Sequence, residues 1–500
     1  MEKGQRVELT IEDMSSEGQG IGKAEEGFVV FVPGAVVGDR VSAVLTKVKK
    51  NYAFSRLEDI IAPSEFRNED FDCRICGGCP YGILDYGKQL AIKEGQVRNK
   101  LERLAGLDFA DAQTVMRPIV GMEPDDNDGD GCYRYRNKGV MTVSGKKNDL
   151  RIGFKKAKSH EVADCGDCLL QPWTVAAAVM ATREFMSEHK SPIKGMTVRT
   201  AFGTGQVMVV YDVYDKASVQ KLAAKAESLI DLLDEAIYNL GSYDDGEPAF
   251  TLESIALRYE KESGKTETVI LAGSNTIVDE LYIGDPLAEP ASADSLAMKF
   301  EISPDSFYQV NTTQMQRLYG IVRSYFQKAM QGFGSDPTQK PLLLDLYCGV
   351  GTIGLCVADL ADRVVGIEIV RDAVVDANRN AVINGIVNAV YVCGKAEEEI
   401  DGVISQVMTG EEEGAPQNTI AILDPPRAGC KPELLEAIAN AGGRGVDAII
   451  YVSCDPATLG RDLKYLTDAG YEVKEVTPVD MFPHTGHVET VALIQRRKSD

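Results

Sequence analysis

Residues 341–355 read PLLLDLYCGVGTIGL, and the fold is decided there. Leu342–Leu346 is an apolar run of the kind a strand buried on both faces needs. Gly349, Gly351 and Gly354 follow as G-x-G-x-x-G, and the apolar positions beyond them continue as a helix. The glycines permit a tight turn and close approach of backbone to a ligand, and the helix amino terminus favours negative charge. Strand, glycine turn and helix in that order open a doubly wound sheet.

The alternation continues downstream. RVVGIEI (363–369), AVYVC (389–393), TIAILDPP (419–426) and VDAIIYVSC (446–454) are strand runs separated by helical segments, so a parallel sheet is expected. YEVKEVTPVDMF (471–482) and HVETVALIQ (487–495) have no helix between them and read as an antiparallel hairpin at the sheet edge. Upstream the pattern changes. Residues 1–60 are short alternating strands punctuated by glycine, the mark of a small β-barrel. APS at 62–64 reads as its exit linker, and residues 133–290 mix strands with helices. The expected architecture is multidomain α/β: an OB-like β-barrel over 1–60, a central α+β domain with a cysteine cluster over 61–295, and a Rossmann-like domain over 296–500. The helical segment at 88–110 is placed against that last domain.

Five hundred residues exceed one hydrophobic core, and 44% hydrophobic with 26% charged content suits a globular chain. No apolar run is long enough to span a bilayer and the polar start MEKGQRVELTIED has no signal-peptide core, so no membrane and a cytoplasmic location are expected. Nothing in the sequence points to an obligate protein partner. The net charge of −23 speaks against indiscriminate binding of nucleic acid. The charge is uneven, however. Acid gathers in EPDDNDGD (123–130) and GEEEG (410–414), and base in TKVKKNYAFSR (46–56), YRYRNK (133–138) and GFKKAKSH (153–160). Local patches decide binding, so RNA remains a partner to test.

Several residues carry chemistry by their place. Glu368 closes the strand after the glycine loop, where a carboxylate can bind both ribose hydroxyls of an adenosine cofactor. Geometry of this kind suits a dinucleotide or S-adenosylmethionine equally. Asp424 ends a strand before two prolines, whose rigid, donor-free turn can present a carboxylate to a ligand; the alternative is a merely stiff loop. Cys454 stands at a strand's carboxyl end before Asp455 and Pro456, one strand over from Asp424, a place for a nucleophile more than for a core-filling thiol. Glu489, among apolar neighbours, is either a solvent-facing strand residue or a desolvated base. His484 and His487 flank the same turn, but no third metal ligand accompanies them. In CRICGGC, Cys73, Cys76 and Cys79 are spaced by two residues each, with Cys165 and Cys168 far downstream. In a reducing compartment such thiols read as ligands of zinc or an iron–sulfur cluster.

Together these motifs resemble the RNA uracil-5-methyltransferases. GQGIGK and VFVPGAVVGDRV resemble that family's TRAM domain, an OB-like RNA-binding barrel. CGGC, YRNK, GFKKAKSHEVADCGDCLLQP, ISPDSFYQVN, DLYCGVGTIGL, LDPPRAG, YVSCDPATLGRDL and DMFPHTGHVETVAL follow in family order. The resemblance implies that Cys454 is the nucleophile and Glu489 the base. It implies that Gln309, Tyr347, Glu368 and Asp424 hold S-adenosylmethionine, and that Cys73, Cys76, Cys79 and Cys168 ligate a [4Fe–4S] cluster, zinc being the alternative. RNA is the implied partner, ribosomal RNA favoured over transfer RNA. One departure stands out: only Arg74 and Ile75 separate the first two cysteines, where the family's spacing is longer.

The implied chemistry is coherent. Carbon 5 of uracil is a poor nucleophile until a thiolate adds at carbon 6, and a base must then remove the carbon 5 proton so that the thiolate can leave. The base must also leave its stack to reach such a site. A methyltransferase for an exocyclic nitrogen needs no thiol, so full activity of Cys454→Ala would favour it. An RNA-binding scaffold need not bind S-adenosylmethionine.

Overall fold

The computed structural model describes the chain apart from residues 72, 74, 111–112, 124–131, 146–148, 158, 242–248, 285–294, 334–338, 409–417, 441–444 and 498–500, and the side chains of 405–408. Lys158, most of the acidic run at 123–130 and all of GEEEG therefore lie outside the described residues.

An eight-stranded sheet carries the candidate chemistry. Its order is Ala389–Cys393, Arg363–Glu368, Leu342–Leu346, Thr419–Leu423, Ala448–Ser453, Glu489–Arg496, Tyr471–Val479 and Val115–Met116. The first five strands run parallel, and Glu489–Arg496 is antiparallel to both its neighbours. Leu342–Leu346 is buried at every position, because the sheet is covered on both faces. Leu343 points into a core shared with Leu318, Val322 and Phe326 of the helix Thr312–Gly332. Leu342 and Leu344 point the other way, into a core with Val97 and Leu101 of the helix Tyr86–Ala105 and Leu459 and Leu463 of Pro456–Asp468.

One expectation is corrected. The antiparallel hairpin exists, but it is not the sheet edge, since Val115–Met116 pairs in parallel with Glu475 and Val476. A two-residue strand arriving from far upstream leaves no period-2 pattern to read.

The amino-terminal barrel is closed by Arg6–Met14, Gln19–Lys23, Val29–Pro33, Tyr52–Ala62 and Arg40–Val48. Val30, Val32, Val41, Leu45 and Ala53 fill it, in alternation with outward residues. A seven-stranded sheet follows in the order Thr266–Gly273, Thr251–Glu260, Gln206–Val213, Ile193–Thr200, Lys138–Ser144, Arg151–Lys155 and Val162–Asp164. Helices Trp173–Glu188 and Ala226–Tyr238 contribute Val175, Phe185, Leu229 and Leu233 to its core. Ile277–Ile283 pairs antiparallel with Leu296–Ile302, and Ile277, Leu281 and Phe300 join the same core as Leu343. Among the described residues, no helix is long and apolar enough to cross a membrane.

The helix Tyr86–Ala105 straps these parts together. Asp85 caps it by accepting from the Lys88 N–H at 3.0 Å. From its buried face, Lys93 donates to Asp480 at 2.6 Å, the Tyr86 hydroxyl donates to the same carboxylate at 3.0 Å, and Gln89 accepts from the His484 N–H at 2.9 Å. The loop between the last two long strands is thereby held by a helix nearly four hundred residues earlier.

Candidate active site

The glycine loop is tight for a physical reason. Gly351 has φ +80°, and a Cβ there would stand 2.5 Å from the Tyr391 hydroxyl, so both conformation and space require glycine. The Gly349 N–H donates to one Glu368 oxygen at 3.1 Å, and the Val370 N–H donates to the other at 2.8 Å. Glu368 is thus oriented by backbone at the end of its strand. Asp345, 1% exposed, accepts from the Gly354 N–H at 3.1 Å, and burial pushes its carboxyl up to about 7. The sequence reading missed it, because one acid inside an apolar strand carries no periodic signal.

Tyr347 takes a left-handed φ of +63° immediately before this turn, and burial raises its phenol. Register sets the level of its neighbours. Leu346 pairs with Ile367 on one side and Leu423 on the other, so Tyr347, Glu368 and Asp424 are the next residues out from three adjacent strands. Gln309 is buried in the segment leading into the helix Thr312–Gly332, and its main-chain carbonyl accepts from Asn137 Nδ2 at 2.7 Å.

The thiol and the carboxylate meet by the same logic. Ser453 pairs with Thr490 across antiparallel strands, so one step further brings Cys454 level with Glu489. Asp455 caps the following helix through Ala457 N–H at 2.7 Å, and Pro456 occupies its first turn, which fixes where the strand stops. Glu489 is 4% exposed; burial and then the Asp424 charge push its carboxyl up to about 8, while Arg427 pulls it down. Burial, Glu489 and Asp424 push the half-buried Cys454 thiol up to about 11, again opposed by Arg427. Burial alone lifts Asp424 to about 7. Arg427, exposed in the turn after the two prolines, is a cation that acts on both Glu489 and Cys454, and an exposed arginine in a loop gave the sequence reading nothing to select it by.

The five thiols of the central region also gather. Cys79 feels Cys168, Cys73 and Cys76 and is pushed up to about 12, chiefly by burial. Cys168 and Cys73 beside it raise the Cys165 thiol, while Cys165 in turn lowers that of Cys168. The sequence-predicted set is therefore brought together, with Cys165 as a fifth member. Among the described residues, however, no group of three or more His, Cys, Asp or Glu is arranged to hold a metal ion, so the cluster and its zinc alternative are not shown.

The two histidines are not a pair. His484 is sandwiched between Tyr133 and Phe71, with ring centroids at 4.9 and 5.6 Å, and burial lowers it to about 4, whereas His487 is exposed beside Phe482. A cavity of about 720 Å³ lined by Arg117, Tyr325, Lys328 and Glu475 contains none of the residues predicted from sequence.

The raised carboxyls set a pH dependence. In the unfolded chain Glu489 loses its proton near the ordinary value of 4.5, but in the folded chain only near 8. Between those values the folded state binds more protons, so the residue's contribution to stability falls as pH rises. Glu489→Gln is expected to gain on the wild type in the unfolding free energy read from urea titrations from about pH 5 to about pH 8, by on the order of 2–4 kcal/mol at the upper end. A difference that does not grow with pH would contradict the burial of this carboxyl.

Comparison with known proteins gives the chain's family and fold. Residues 272–497 match the family profile described as tRNA (Uracil-5-)-methyltransferase, and residues 1–57 match the TRAM domain. An uncharacterized RNA methyltransferase of Clostridium acetobutylicum is 35% identical across 99% of this chain and 98% of its own length. One of Listeria innocua is 34% identical across 99% and 98%. The crystal structure of Pyrococcus abyssi tRNA (uracil-54, C5)-methyltransferase in complex with S-adenosyl-L-homocysteine superposes with a TM-score of 0.64 at 24% identity, covering 98% of this chain and 100% of that one, which shows a shared fold. On this evidence of length, identity and fold, the chain belongs to the S-adenosylmethionine-dependent RNA (uracil-5-)-methyltransferase family.

Proposed function

We propose that this chain methylates carbon 5 of a uridine in RNA through a covalent bond between Cys454 and carbon 6 of the base, with Glu489 removing the carbon 5 proton. The observation that carries the reading is the register that sets Cys454, just past its strand, level with Glu489, the first residue of the neighbouring strand, with Asp424 one strand away. S-adenosylmethionine, when bound, supplies an electrophilic methyl group. Tyr347, Glu368 and Asp424, at the ends of three adjacent strands beside the glycine turn, are the proposed holders of it, with Gln309 as the fourth. The chain's own groups do the rest. Cys454 adds to carbon 6, charge builds at carbon 5, Glu489 takes the proton from that carbon once it is methylated, and Cys454 leaves. Arg427 favours the charged forms of both groups.

Ribosomal RNA is the substrate we favour, on the strength of the cysteine-bearing segment. Transfer RNA is the second reading, supported by the description of the matching family profile. Mapping 5-methyluridine in cellular RNA with and without the gene separates the two. Loss of the mark from ribosomal RNA is expected, and an unchanged pattern in every RNA would overturn the function. The exposed Lys47, Lys49, Lys50 and Lys155, with half-buried Lys156 and with Lys158 outside the described residues, are the proposed phosphate contacts.

For the thiols, the donor set suits a thiophilic centre, and Cys73, Cys76, Cys79 and Cys168 are the proposed ligands of a [4Fe–4S] cluster. Such a centre would tie residues 73–79 to residues 165–168. Protein purified without oxygen is expected to be brown, with about four iron and four sulfide per chain. Colourless protein with stoichiometric zinc would contradict the cluster and leave the methyl-transfer chemistry untouched.

A further inference from the structure

The barrel carries three aromatic rings that its own core does not use. Val29 pairs with Tyr52 and Phe31 with Phe54, between the parallel strands Val29–Pro33 and Tyr52–Ala62. The intervening Val30 and Ala53 point inward, so Phe31, Tyr52 and Phe54 share the outer face. Their ring centroids lie 5.4 to 5.8 Å apart, with Phe31 stacked on Phe54 and Tyr52 edge-on to both. Among the described residues, none of the three belongs to a core cluster, and Tyr52 is 38% exposed. Single exposed aromatics need no explanation; three that pack on one another beside a recess do.

That recess, about 420 Å³, is lined by the three rings with Val29 and Asn51, and by the polar Ser15, Ser16, Glu17 and Gln19. The polar wall is fastened to the candidate active site. The Ser15 carbonyl accepts from the Tyr81 hydroxyl at 3.0 Å, and the Tyr81 N–H donates to the His484 carbonyl at 2.9 Å. A Cβ on Gly486 would stand 2.0 Å from the Ser16 carbonyl oxygen, so the barrel's turn rests directly on the loop that leads into Glu489. Exposed Lys47, Lys49 and Lys50 lie at the hairpin before Asn51, where Lys47 pairs with Phe54. Residues 1–57 hold eight Lys and Arg against eight Asp and Glu, while the whole chain carries −23.

We infer that Phe31, Tyr52 and Phe54 form a stacking platform for one unpaired base of the substrate RNA, flanking the uridine delivered to Cys454. The inference rests on the proposed RNA substrate. Aromatic faces accept any base, Gln19, Asn51 and Glu17 offer partners for its edge, and the lysines meet its phosphates. The rigid contact through Ser16 and Gly486 gives the platform a constant offset from the catalytic loop, so a base stacked there sets the register of the strand in the cleft.

The test uses the full-length protein and a single-stranded RNA of about ten nucleotides with one 2-aminopurine stepped through each position. Quenching is expected at one position and is expected to disappear in Tyr52→Ala/Phe54→Ala, with affinity falling about tenfold or more. The slope of affinity against salt should not change, because no phosphate contact is lost. Tyr52→Trp/Phe54→Ala is expected to keep quenching and Tyr52→Leu/Phe54→Ala to lose it. Folding is checked by S-adenosylmethionine binding, which lies elsewhere and should match the wild type. Affinity within about twofold of the wild type in the folded variant, or equal rescue by leucine, overturns the platform. Methyl transfer is scored separately as 5-methyluridine formed, so quenching without methylation would count against the function and keep the platform.

Discussion

Glu489→Gln is expected to trap the protein on its RNA, and Cys454→Ala is expected never to bind it covalently. The glutamine keeps the neighbouring thiol, so addition at carbon 6 and methylation at carbon 5 proceed, but no carboxylate remains to take the proton. A covalent adduct should then accumulate, dependent on S-adenosylmethionine and visible as a slow band on a denaturing gel. Turnover should drop by about two to four orders of magnitude, the usual contribution of a positioned base. In the wild type, release should quicken as pH rises towards 8, since burial leaves Glu489 protonated below that value and only the ionised form can accept a proton. Without its thiol, Cys454→Ala has nothing to activate carbon 5, and both adduct and product should be absent. Normal turnover by Glu489→Gln, or cross-linking by Cys454→Ala, would end the mechanism.

Lys93→Met is expected to cost about 3–5 kcal/mol of stability. The Lys93 and Asp480 side chains are 0% exposed and 2.6 Å apart, and Lys93 also donates to the Phe482 carbonyl at 3.1 Å. Burial pulls the lysine's pKa down more strongly than Asp480 pulls it up, so the pair gains little over an apolar contact. Removing one partner is another matter, because Asp480 would stay buried with, among the described residues, the Tyr86 hydroxyl alone to answer it. The damage should reach function, since Asp480 opens the loop that carries His484 and Gly486. Replacing both residues, Lys93→Met with Asp480→Asn, should recover part of the loss. Urea denaturation measures it, and a cost under about 1 kcal/mol for the single change would show that the pair is more hydrated than its burial indicates.

How much of this could be read without coordinates varies with the physics of each residue. The sheet was legible because strands buried on both faces leave long apolar runs, and because the glycine turn, the two prolines and Pro456 punctuate their carboxyl ends. Those ends are where Asp424 and Cys454 stand. Glu489 was ambiguous for a definite reason: the first six residues of its strand are all buried, so no polar alternation showed which way its carboxylate faced. Arg427 and Asp345 left no pattern at all. Contacts such as Ser16 against Gly486, or Lys93 against Asp480, join residues hundreds of positions apart, and single-sequence periodicity is blind to them. The roles assigned to Gln309, Tyr347 and the cysteine set came from family resemblance, with geometry entering only afterwards.

The central claim is that a methyl group replaces the hydrogen on carbon 5 of uracil while a thiol holds carbon 6. Its most direct test is to give the enzyme substrate RNA made with uridine tritiated at carbon 5 and methyl-labelled S-adenosylmethionine, and to count both labels in one reaction. The account predicts one tritium released to water for each methyl group incorporated, with both events lost together in Cys454→Ala. Methyl transfer without tritium release would place the methyl on another atom and contradict it.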